Sequence, residues 1–104
     1  MTSSLRQDAQ VIIDAALDAA QPHAAVGKAL ADFSVEEGGR VVLMAVGKAA
    51  YAMAQAAAGI LGGRVDRGIV ITKYDHIGPP IPGLQLREAG HPVVDENSVR
   101  ATEE

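Results

Sequence analysis

The sequence predicts an α/β fold built on a mostly parallel sheet, and three observations carry that prediction. Short runs rich in β-formers, at 41–46, 68–72 and 84–89, alternate with stretches of helical periodicity. The longest helical stretch follows the first of these runs directly, across a Gly47-Lys48 hinge. Hydrophobic residues make up 48 % of the chain, much of it alanine, while aromatic residues are only 3 %. Such a core must pack helix on sheet at close range through small side chains. Strands that alternate with helices pair in parallel through right-handed crossovers.

The N-terminal elements come first. Ser4-Leu5-Arg6-Gln7 fits a capping box, serine at the N-cap and glutamine three residues on. Leu5, Ala9, Ile12, Ile13, Ala16, Leu17 and Ala20 then recur at helical spacing, with Asp8, Asp14 and Asp18 off the stripe. This is an amphipathic helix of roughly four turns. Gln21-Pro22 breaks it, and the proline suits the first turn of a second, shorter helix over 23–30. Glu36-Glu37-Gly38-Gly39 makes a solvated turn into the first strand.

The helix after Gly47 carries Ala50, Met53, Ala54, Ala57, Ala58 and Leu61 on one face. Its other face holds Tyr51, Ala52, Gln55, Ala56 and Gly59, with no charge, so it too should be covered. The N-terminal helices, a further domain or a second copy of the chain could cover it, and self-association is one expectation. Gly62-Gly63 supplies the stop. The second strand ends in Lys73-Tyr74-Asp75-His76, and the proline- and glycine-rich stretch 77–83 is an irregular loop. The third strand alternates Leu84 and Leu86 with Gln85 and Arg87, as at a sheet edge with one wet face. Gly90-His91-Pro92 turns the chain out, and Asp95 is a good N-cap for a last helix from about Glu96. That helix has only its first turns here, so the chain reads as a fragment of a longer protein.

Composition narrows the classes. A chain of 104 residues supports one small domain. Nine Lys+Arg against thirteen Asp+Glu give a net charge of −4 with no long basic run, which disfavours nucleic acid. There is no cysteine, hence no disulfide framework and no thiolate metal site. Neither a secretory signal nor a membrane-length apolar segment is visible, so a soluble cytoplasmic protein without membrane contact is expected.

Gly47-Lys48 is the first candidate site. Ligands of open parallel sheets bind outside the carboxyl ends of the strands. A helix N-terminus there offers free N–H groups and the positive end of a dipole, and Lys48 adds a full charge. This reads as an anion site, for a phosphate or a carboxylate, with Gly47 and Lys48 as its contacts. A turn glycine beside a merely exposed lysine fits the spacing equally well, and both readings stay open. A lysine at a helix N-terminus opposes the dipole, a conflict that a bound anion would offset. The pattern is no Walker A loop, because Leu43 and Ala49 stand where a glycine and a Ser or Thr are needed. It is no dinucleotide fingerprint either, since G-x-G-x-x-G is missing.

Lys73 and its polar neighbours are one wall of a cleft or an ordinary polar loop. His91 is a general base or hydrogen-bond donor toward a substrate, or a structural histidine bonded to backbone. Asp95 reads as a cap rather than a catalytic acid. His23, His76 and His91 lack metal-ligand spacing, and no metal site is expected among them.

Three blocks, VVLMAVGKAAYAMA, GIVITKYDH and LREAGHPVVDENS, resemble in order and spacing the N-terminal domain of type-2 glycerate kinases of the MOFRL family. The resemblance runs from about Val41 to the end, with a compatible helical lead-in over 1–39 before the α/β core at 40–104. It implies a Rossmann-like three-layer α/β/α domain, truncated here, with a C-terminal domain absent and the active site between the two. It implies ATP-dependent phosphorylation of D-glycerate at its 2-hydroxyl, with ATP as nucleotide and Mg2+ as the accompanying ion. The family's lysine falls on Lys48, facing the cleft, and its Gly-His-Pro turn on Gly90-His91-Pro92. On this reading Lys48 is catalytic, Gly47, Lys48, Lys73 and His91 bind substrate, and the fragment alone is inactive. Members are often labelled hydroxypyruvate reductases, so an NAD(P)H-dependent reductase is one alternative and a non-catalytic anion-binding domain another.

Overall fold

The computed structural model describes residues 4–104, so the first three residues of the expected 1–39 lead-in lie outside it. Ser4 caps α1 (Leu5–Ala19) with the expected reciprocal box. Its hydroxyl accepts from the Gln7 N–H at 3.2 Å, and the Gln7 side chain accepts from the Ser4 N–H at 3.0 Å. Pro22 opens α2 (Pro22–Leu30), where its missing N–H costs no hydrogen bond. Then follow β1 (Val41–Val46), α3 (Ala50–Leu61), a short turn of 3-10 helix (Gly62–Arg64), β2 (Val65–Lys73), β3 (Leu84–Ala89) and α4 (Glu96–Glu103). Asp95 caps α4, as its position after the Gly-His-Pro turn predicts.

The strands pair in the order β1-β2-β3, both pairs parallel, so the sheet is of the predicted class. β3 lies at an edge, as its alternation predicts. β2 begins earlier than the apolar run at 68–72. Val65 and Arg67 pair with Val41 and Val42, so backbone pairing carries the strand through polar residues that pattern alone assigns to a loop.

The core lies between α3 and one face of the sheet. Val70 is fully buried beneath Ala50, Ala54 and Ile81, and Leu43, Ala45, Leu84 and Leu86 pack around it. Alanines let the helix sit close. Gly68 serves the packing within the sheet: a Cβ there would run into the Leu43 carbonyl and the Leu84 side chain. The crossover from β2 to β3 is not a helix but the loop 74–83, which buries Ile81 on the same face as α3. Tyr51 of α3 pins this loop. Its ring packs where a side chain at Gly78 would stand, and its hydroxyl donates to the Pro79 carbonyl at 2.6 Å. Behind α3, α2 covers Ala56 and Ala57 with Val26, so part of the charge-free helical surface is covered by the N-terminal helices.

Side chains alternate across a strand, so Arg87 points away from the face that Leu84 and Leu86 occupy. There it meets Glu104 at the end of the α4 segment at 2.7 Å, and Ala101 is buried. Helices thus lie on both faces, but α4 covers only the β3 side. On β1, Met44 and Val46 stay 71 % and 69 % exposed. α1 buries none of its residues, and the radius of gyration is 17.5 Å where a compact chain of this length has about 13 Å. Among the described residues, no helix is long and apolar enough to cross a membrane.

Gly68→Ala must push Leu84 or the Leu43 backbone aside. The expected loss is about 1–3 kcal/mol, the usual cost of overpacking. It should appear as a lower urea midpoint with an unchanged slope. An unshifted midpoint would show that the helix-facing side of the sheet has room to spare.

Candidate functional site

The carboxyl ends of all three parallel strands share one edge of the sheet. Val46 ends β1 opposite Ile71, and Lys73 ends β2 opposite Ala89. A cleft of about 410 Å³ opens at this edge, on the face that α4 half covers. Its floor is apolar, with Val46 and Ile71 among its residues, and its polar rim includes Gly47, Lys73 and His91. Three of the four expected substrate contacts therefore lie around one opening, each from a different strand end. The fourth, Lys48, is exposed at the turn beside Gly47 and is not part of the lining.

The Gly47 turn has its own logic. Gly47 has φ +128, with open space where a Cβ would stand, so the backbone angle and not crowding demands glycine. Its N–H donates to the Ile71 carbonyl at 2.9 Å, which ties the turn to β2. Buried Thr72 adds a second tie, donating to the Lys48 carbonyl at 3.4 Å. The backbone of Lys48 is held while its side chain is left in solvent. α3 begins two residues later, and its N-cap, Ala49, has no side-chain cap. The first-turn N–H groups thus have no capping oxygen from that position.

Among the described residues the ion pairs are Arg87–Glu104 and Arg100–Glu96, so neither Lys48 nor Lys73 has a carboxylate partner. The His91 ring likewise has no hydrogen bond among the described residues, while it lines the cleft. No group of three His, Asp or Glu among the described residues could hold a metal ion.

Beside the cleft lies a polar network of which the sequence reading saw one part, the Asp95 cap. One Asp95 oxygen accepts from the Ser98 N–H at 3.1 Å and its hydroxyl at 3.3 Å, and the Ser98 oxygen accepts from the Asp95 N–H at 3.1 Å. The other accepts from the Tyr74 hydroxyl at 2.5 Å, and Asn97 donates to that hydroxyl at 2.9 Å. Gly90 lies against the Asp95 carboxylate, where a Cβ would stand 2.9 Å from it. The bonds from Tyr74 and Ser98 hold the Asp95 carboxyl below its ordinary 3.8, the Tyr74 hydroxyl first, against a smaller opposing effect of desolvation. The same bond raises the Tyr74 phenol above 10.0, with Asn97 opposing. The usable signal was positional: Tyr74 and Gly90 are the next residues after the paired Lys73 and Ala89.

The chain matches the family described as Domain of unknown function (DUF4147) over residues 8–104. It is 42 % identical over 99 residues to D-glycerate 2-kinase of Thermotoga maritima, a match covering 95 % of this chain and 23 % of that protein. A protein of Agrobacterium vitis that carries the name hydroxypyruvate reductase is 42 % identical over 101 residues, covering 96 % of this chain and 22 % of the other. The fold is similar to the crystal structure of glycerate kinase from Thermotoga maritima, with a TM-score of 0.84 and 40 % identity over 95 % of this chain and 23 % of that one. The chain thus spans less than a quarter of the length of these relatives.

The network makes a pH prediction with a defined sign. Ionised Asp95 favours the fold, so its contribution is complete above 3.8 and is lost as pH falls through the lowered value. Neutral Tyr74 favours the fold, so its contribution is present below 10.0 and is lost as pH rises through the raised value. With two tyrosines and no tryptophan, phenolate absorbance reads this directly. One phenol should titrate above 10.0 and vanish in Tyr74→Phe, and Asp95→Asn should bring it down.

Proposed function

The chain belongs to the DUF4147 family, and we propose from that premise that it forms the N-terminal part of an ATP-dependent glycerate 2-kinase. The observation that carries the proposal is the convergence of two unpaired lysines and an unbonded imidazole on one edge of a net-acidic chain. Lys73 and the unbonded His91 rim the cleft, and Lys48 stands free at the adjoining turn. Glycerate offers such an edge a carboxylate, and a nucleotide offers it phosphates. Phosphoryl transfer asks of a protein mainly positioning and charge stabilisation, which fixed cations supply. In this reading Lys73 and His91 hold the substrate anion. Lys48 neutralises the carboxylate or a phosphate from the turn whose backbone Thr72 and Ile71 fix.

The proposal gives ATP as donor, 2-phosphoglycerate as product and the cytoplasm as setting. No three acidic or histidine side chains converge among the described residues, so a Mg2+ accompanying ATP would be held chiefly by the nucleotide phosphates and water. Reductase chemistry, which the name of the Agrobacterium vitis relative suggests, is disfavoured by the turn itself. β1 is followed by a single glycine, not by the G-x-G-x-x-G that brings a dinucleotide pyrophosphate against backbone.

A chimera tests the proposal. This chain replaces the matched segment of the Thermotoga maritima kinase, and ADP formation with D-glycerate is measured. The chimera should phosphorylate glycerate, and Lys48→Ala should lower kcat by about 10²–10³, as for loss of one fixed charge-stabilising group. Near-normal turnover of the variant would remove Lys48 from the role. NADH oxidation with hydroxypyruvate, without ADP formation, would establish the reductase instead.

A further inference from the structure

We infer that Tyr74 is a positioning residue, whose bond to Asp95 latches the Gly90-His91-Pro92 turn beside Lys73 so that His91 and Lys73 meet one small anion. The inference rests on reading the cleft as a carboxylate or phosphate site and adds the device that sets its width.

Tyr74 is a half-exposed side chain on a loop, a place where a phenol usually bonds water. Here its hydroxyl has two protein partners, both more than twenty residues away in sequence, Asp95 at 2.5 Å and Asn97 at 2.9 Å. Asp95 in turn lies directly against Gly90, so the chain closes into a short loop with His91 inside it. That closure requires glycine at position 90, where a Cβ would lie 2.9 Å from the Asp95 carboxylate. The latch therefore joins the residue after Lys73 to the loop that carries His91.

The His91 ring makes no hydrogen bond of its own among the described residues, although it lines the cleft. Nothing fixes the imidazole except the turn it rides on. A cap for α4 needs only the Asp95–Ser98 pair, which is complete without Tyr74. The second carboxylate oxygen, the phenol and Asn97 exceed what capping requires. They hold the β2 end to the start of α4, beside the residues that line the cleft.

The experiment uses the 104-residue chain, isotope-labelled, with D-glycerate and inorganic phosphate as separate probes. Amide shifts and amide exchange are read in wild type, Tyr74→Phe and Asn97→Ala. Tyr74→Phe should speed exchange at 90–95 and weaken the ligand response at His91, each by about fivefold, as for one lost hydrogen bond. The response at Lys48, on the far strand end, should persist. Asn97→Ala removes the outer bond only and should act in the same direction, more weakly; it serves alone if Tyr74→Phe does not fold. Wild-type shifts that survive Tyr74→Phe unchanged overturn the latch and leave the anion site standing. Equal loss at His91 and Lys48 overturns it too, by showing general destabilisation. No wild-type response to either probe overturns the anion reading, and the proposal with it.

Discussion

Val70 has no exposed surface, held between Ala50 and Ala54 of α3 and Ile81 of the crossover loop. The rest of the structure depends on that seat. An alanine-faced helix can approach the sheet closely, and Gly68 lets Leu43 and Leu84 close over β2 beneath it. With α3 seated, its N-terminus and the Gly47 turn are fixed relative to β2. The crossover loop must then pass over the same face, because Ile81 completes the enclosure. Parallel pairing does the remainder, since it sends the ends of β1, β2 and β3 to one edge. Buried packing thus decides which polar residues become neighbours.

At that edge the charges are unlike those of the chain as a whole. The net charge is −4, yet both lysines there lack a carboxylate partner among the described residues. Of the acids beside the cleft, Glu104 is paired with Arg87 and Asp95 is engaged by Tyr74 and Ser98. A carboxylate saturated by donors is a poor partner for a lysine, because its lone pairs are occupied. The latch therefore has an electrostatic consequence beside its mechanical one. It occupies the Asp95 oxygens with donors from Tyr74 and Ser98, which leaves a lysine fewer lone pairs to bond directly.

Much of the fold was legible because its signals are local. The Ser4–Gln7 box, Pro22, the limits of β3 and the Asp95 cap each follow from a few adjacent residues, and each is where spacing places it. The early start of β2 was not legible, because Val65 and Arg67 enter the strand only through partners on β1, with Asp66 left unpaired at the register shift between them. The site was legible as a set of strand ends but not as a network. Gly47, Lys73 and His91 could be named from their loops, and the structure brings them to one cleft. Tyr74 read as an ordinary loop residue since its partners lie 21 and 23 positions on. Parallel register connects those positions, and register is not written in either segment alone.

The cleft is open because the sheet is covered unevenly. α4 lies over β3, while Met44 and Val46 of β1 face outward on the same side. Parallel strands are ordinarily buried on both faces, so a surface of this kind calls for a covering element. The consequence for chemistry is direct. Fixed charges act strongly on a transferring phosphoryl group only where water is excluded. Under the proposed function Gly47, Lys48, Lys73 and His91 meet the anion from one side, and on the β1 side nothing among the described residues shields it. On that reading, the group that dries the anion and the residues that hold ATP must come over β1, across the apolar floor that Met44 and Val46 already present.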